Sequence, residues 1–80
     1  MEPTVGRIVH FILADGVRTL PLVITRVWSN TTVNGIVLTD GTNDRGQIPN
    51  RPDFNGEPAL WMTSIVEGTA PNNWKWPERV

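Results

Sequence analysis

The chain has no cysteine, and His10 is the one histidine among its 80 residues. Without thiols there is no disulfide framework and no thiolate metal site. One imidazole leaves a zinc site of ordinary composition short of ligands. No run approaches the roughly 18 consecutive apolar residues that a membrane-spanning helix needs. The opening MEPTVGRIVHFIL puts no basic segment ahead of its apolar run and no small-residue cleavage site after it. It does not read as a secretory signal, so a cytoplasmic protein is expected. A formal net charge of -1 and a pI near 5.6 lack the basic footprint of a protein that coats duplex nucleic acid. Catalytic signatures are missing too: there is no GxSxG, HExxH, GxGxxG or phosphate-binding P-loop. The expectation is a binding protein, not an enzyme, with no metal and no cofactor.

Lysine is nearly absent as well. Lys75 stands alone beside six arginines, Arg7, Arg18, Arg26, Arg45, Arg51 and Arg79. The planar guanidinium fork suits phosphate, carboxylate and aromatic faces better than an ammonium does. Four tryptophans, Trp28, Trp61, Trp74 and Trp76, accompany them. This composition suits recognition of something planar or anionic, although tryptophans in a small domain also serve as core. A chain this short buries only about 60–65% of its unfolded surface. With disulfide and metal excluded, homo-oligomerisation is the staple left open.

What the chain does contain is a series of short β-branched, apolar segments separated by turn signals. Strands are predicted at about 5–13, 20–28, 33–39 and 59–67 within a single domain spanning 1–80. Ala14-Asp15-Gly16 and Ser29-Asn30-Thr31-Thr32 mark the first two turns. Pro21 belongs at a strand start or an edge, and Gly6 permits a bend or bulge in the first strand. Strict alternation puts Leu20, Leu22, Ile24, Arg26 and Trp28 on one face of the second strand. It groups Trp61, Thr63 and Ile65 on one face of the fourth. A long polar loop covers 40–58, and a Trp-rich tail covers 74–80. Trp74-Lys75-Trp76 is expected to pair with an edge, its two indoles pointing the same way. No segment has a helical period. The fold class is therefore all-β, either a small SH3-like barrel or a strongly twisted antiparallel sheet of four to five strands. Unpaired edges predict closure or edge-to-edge dimerisation.

Three constellations bear on chemistry. His10 lies between Ile8 and Ile12 with no second histidine or cysteine to complete a dyad. It reads as a half-buried strand residue or a ligand contact. Asp40, Thr42 and Asp44 have the spacing of a calcium loop, but Arg45 occupies the glycine position and Arg51 the bidentate glutamate position. A tight Asp-Gly turn accounts for them better, with Asn43 and Asp44 free to read ribose hydroxyls or base edges. The tryptophan and arginine set is the most informative. Arg26 and Trp28 sit two residues apart, and a guanidinium over an indole makes a platform for a base or other planar anion. The alternative is an Arg26 paired with Asp40 or Asp44 and a Trp28 that caps the barrel. Trp74 and Trp76 read as an interface or a lid over a ligand.

The segment Gly6-Arg7-Ile8-Val9-His10-Phe11, followed by Leu13 and Asp15-Gly16, resembles short proteins encoded by tailed phages and prophages. The likeness continues through Val23, Arg26-Val27-Trp28, Val33, Asp40-Gly41, Asn43-Asp44, Trp61, Ser64 and Trp74-Lys75-Trp76-Pro77, nearly the whole chain. Those proteins are generally described as being of unknown function, so the resemblance implies phage origin and a place in the cytoplasm of an infected bacterium. Lys75 stands where a histidine is expected between the two tryptophans, which argues against a metal role for the tail. Small accessory phage proteins often neutralise host defence, and one class sequesters a nucleotide-derived alarm signal without cleaving it. The leading expectation is such a sponge. Arg7, Arg26 and Arg45 would contact phosphate, and Trp28, Trp61, Trp74 or Trp76 would stack on a base. Asn43, Asp44 and His10 complete the candidate ligand-binding set. The alternative is a protein-interaction module, a virion accessory or an inhibitor gripping a host protein through an exposed strand edge. A catalytic role for His10 with Asp40 or Asp44 is the third reading.

Overall fold

The structure is a computed structural model and describes residues 2–40, 46–48, 51 and 53–77. Five strands form: β1 (Ile8–Ile12), β2 (Thr19–Val27), β3 (Thr32–Leu38), β4 (Ala59–Val66) and β5 (Trp74–Lys75). They make one antiparallel sheet in the order β4-β3-β2-β1-β5. The all-β class and the pairing of the tail with an edge are as expected, and β2, β3 and β4 fall within about a residue of their predicted bounds. β1 starts later than predicted because residues 4–7 form a turn, with Gly6 at a φ of 88° that favours glycine. The first connection is tied by Asp15, whose Oδ1 accepts from the N–H groups of Val17 and Arg18 at 2.9 Å each. Those two bonds, with the Arg18 guanidinium, hold the Asp15 carboxyl below its ordinary range.

Pro21 sits inside β2, opposite His10 of β1. The amide of Ile24 donates to the carbonyl of Arg7, just ahead of β1, so by alternation the nitrogen of Pro21 faces β3. The β2–β3 pairing ends at Leu22↔Val37, so the missing N–H falls just past the end of that ladder.

Two register shifts change which side chains face the core. One lies between Ile24 and Arg26 of β2, and the other between Val33 and Gly35 where β3 meets β4. Each extra residue flips the alternation. Leu22 and Ile24 are buried, but beyond the bulge Val27 packs on the core, while Arg26 and Trp28 face out. On β4, Leu60, Met62 and Ile65 form the inward set, and Trp61 lies outside. Ser64 takes up the second irregularity at a φ of 56°. Strict alternation therefore misassigned both strands after their bulges.

The sheet curls until its edges approach. An isolated parallel bridge joins Glu67, just past β4, to Trp74 of β5. The Trp74 indole Nε1 donates to the Thr31 carbonyl at 2.9 Å. Among the described residues closure holds at this end only, leaving a seam between β4 and β5 further along. Trp74 is fully enclosed at 0% exposure. The reading of Trp74 as an interface or lid residue is corrected: curling places it beside Phe11 in the core. The long loop contributes too. Ile48 and Phe54 are buried in the same core cluster, and the Gln47 carbonyl accepts from Ala14 N–H at 2.9 Å. These side chains plug the barrel from a stretch that reads in sequence as polar connection.

Candidate functional site

Past its bulge, β2 sends Arg26 and Trp28 to the outer surface, where the guanidinium lies 4.1 Å from the centre of the Trp28 ring. Trp28 is 55% exposed. Its Nε1 donates to Asn34 Oδ1 at 2.9 Å. The same oxygen accepts from Thr63 Oγ1 at 2.9 Å and from the Ser64 amide at 2.8 Å. Asn34 is thus a buried hub that fixes the Trp28 ring, joins β2 to β4 and holds Ser64 in its left-handed conformation. Replacing Asn34 by Ala orphans these three donors, and a loss of about 2 kcal/mol is expected, roughly 8–16 °C in Tm. Thermal melts with tryptophan emission check it, and Asn34→Asp should keep most of the stability.

Thr63 links this hub to a cavity of about 240 Å3, lined by Arg51, Trp61, Met62, Thr63 and Asn72. Trp61, Met62 and Thr63 are consecutive on β4 and point to alternate faces, so a cavity touching all three runs along the strand edge. That edge borders the seam. The ladder places the backbone of Leu60 toward β3, and hence the N–H and C=O of Trp61 away from it. Arg51 enters from the long loop and is braced by Asp53 through Nε at 3.0 Å. The bond from Arg51 holds the Asp53 carboxyl below its usual range, and Asp53 in turn raises Arg51.

The candidate residues from the sequence do not gather in one place. Arg26, Trp28 and Trp61 lie on or beside the strip that runs from the stack through Asn34 and Thr63 to the cavity. The Arg26–Trp28 pair takes the stacked arrangement, and among the described residues no carboxylate forms an ion pair with Arg26. Arg7 lies over Trp76 at 5.3 Å. Trp76 meets the buried Trp74 edge-on at 5.3 Å and packs on the core, so this second pair belongs to the barrel mouth. Trp74 is out of reach of a ligand. His10 is half-buried between Pro21 and Lys75 in register, with no carboxylate across either strand. The row Ile8–Val23–Ile36–Trp61 separates it from Arg26. Asn43, Asp44 and Arg45 lie outside the described residues. Sequence reading missed Asn34, Arg51, Thr63 and Asn72. Asn34 carried a faint signal, a lone amide in an otherwise apolar strand.

Comparison with protein-family models, curated proteins and solved structures found no match to this chain. The strip offers two indoles, two guanidiniums, a hydroxyl and two carboxamides. Such groups can stack on a planar polar molecule and hydrogen-bond its edge.

Proposed function

We propose that the protein is a non-enzymatic binding protein for a nucleotide-like ligand, made by a phage to sequester a nucleotide-derived immune signal of its bacterial host. The observation that carries this reading is the continuity of the strip. Thr63 belongs both to the hub that fixes Trp28 and to the cavity wall with Trp61 and Arg51. A stacking face, a cation over it and a polar recess lie together on an exposed surface, the combination that nucleotide recognition uses. The cavity is smaller than the clefts that enclose whole drug-sized ligands, so a large signal would be held in part by each of two copies. A homo-oligomer that shares one ligand fits that reading.

Thermal stability against cyclic oligonucleotides and ADP-ribose derivatives tests the proposal. Ligand at 100 times its Kd stabilises the folded state by about 2.7 kcal/mol, equivalent to roughly 10–20 °C for a domain of this size. The ligand should be recovered unchanged. In Arg26→Ala the shift should fall to about half, since a tenfold loss of affinity leaves about 1.4 kcal/mol at the same ligand concentration, while the melting temperature without ligand falls only a few degrees, since an exposed cation–π contact is worth about 0.5–1 kcal/mol. An unaltered ligand shift in that variant would remove Arg26 from the site. A flat panel would favour the second reading, a grip on a host protein through the free edge of β4, where the Trp61 backbone faces away from the sheet.

A further inference from the structure

We propose that the seam cavity takes the base of the ligand, an uncharged planar heteroaromatic ring, and that Arg26 meets the phosphate. The inference rests on the nucleotide-binding reading and adds to it a division of labour between two arginines.

Charge distinguishes the two arginines. Asp53 lies 3.0 Å from the Arg51 guanidinium, and Glu57 adds a second negative field. A phosphate at Arg51 would meet both carboxylates. Arg26 is different: among the described residues its partner is the Trp28 ring, which leaves its positive charge uncompensated. The anion belongs at Arg26.

The recess mixes donors and acceptors. Asp53 engages Arg51 through Nε and one terminal nitrogen, so N–H donors remain for a ring carbonyl or ring nitrogen. Thr63 spends its proton on Asn34, accepts from Ser64 Oγ at 3.2 Å, and keeps one lone pair for a ring N–H or an exocyclic amine. The Asn72 carbonyl oxygen is buried without a hydrogen-bond partner. The soft χ2 torsion of an Asn lets a small rotation turn that oxygen toward a ligand donor. Donors and acceptors mixed around a recess walled by an indole and a thioether match a nucleobase edge and face.

Spacing agrees with this division. Arg26 is paired with Asn34, and Asn34 bonds Thr63, so Arg26 and Thr63 stand two strands apart, about 10 Å. A ribose phosphate extending from a base in the cavity runs along the strip toward Arg26.

Calorimetric titration with the four common ribonucleosides and their 5′-monophosphates tests this on the wild-type chain and on Arg26→Ala, Arg51→Ala and Trp61→Ala. The wild-type chain should bind at least one monophosphate about tenfold more tightly than its nucleoside. Arg26→Ala should erase that difference and keep the nucleoside affinity. Arg51→Ala and Trp61→Ala should weaken nucleoside and monophosphate alike, by about tenfold or more, and preserve the difference between them. If the monophosphate binds and the two cavity variants bind it as the wild type does, the cavity assignment falls and the nucleotide reading stands. If loss of Arg51 removes the phosphate increment, the division between the arginines is reversed and the inference fails. If neither nucleosides nor monophosphates bind the wild-type chain at millimolar concentration, both readings fall together.

Discussion

Trp74→Ala should lose about 4 kcal/mol, lowering the melting temperature by roughly 16–32 °C. Trp74 is the largest fully enclosed side chain, and it joins three parts of the fold. Its ring packs among Phe11 and the other core side chains, and its backbone bridges Glu67. Its indole nitrogen reaches Thr31, 43 residues away in sequence. Truncation leaves a cavity, strips the Thr31 carbonyl of its indole bond while the Glu67 amide still donates to it, and reduces the clasp to its backbone bridge. A domain of this length holds only about 4–12 kcal/mol in total, so the variant should be near the limit of folding. Trp76→Ala is the control, because its ring is only partly buried and should cost a few degrees. Equal, small shifts in the two variants would show that the β5 clasp does not hold the barrel closed.

Gly35→Ala should be nearly as damaging. Gly35 faces inward on β3 opposite Ile24. A Cβ there would lie 2.5 Å from Leu22 Cδ1 and 2.6 Å from the Val23 carbonyl oxygen. The Leu22 methyl has no room to retreat in a filled core, and the carbonyl belongs to the neighbouring strand. Strands β2 and β3 would have to separate at the centre of the sheet. We expect a loss of about 3 kcal/mol, or roughly 12–24 °C in Tm. Hydrogen exchange should quicken at the β2–β3 ladder before the rest. A wild-type melting curve would show that the sheet centre yields without cost.

Much of the fold was legible because its signals are local. Asp15-Gly16 makes the first turn, and Leu22, Ile24, Val33 and Val37 keep the alternation of a half-buried strand. The candidate site was legible only in part. That Arg26 and Trp28 share a face was legible, since two residues of spacing puts side chains on one face whatever face that is. Which face it is depends on the bulge before Arg26, and no residue around Thr25 announces a bulge. Ile48 and Phe54 hid as core because two apolar residues in a polar stretch have no period to display.

The sequence by itself determined the all-β class, the strand positions, the turns and the exclusion of disulfides, each a property of neighbouring residues. Only the tertiary structure decided that Trp74 closes the barrel, that Arg51 and Thr63 share a cavity, and that Asn34 joins β2 to β4. These depend on contacts such as Asn34 with Ser64, 30 residues apart. Curling and bulging set them, through the summed packing of segments that local preference cannot see.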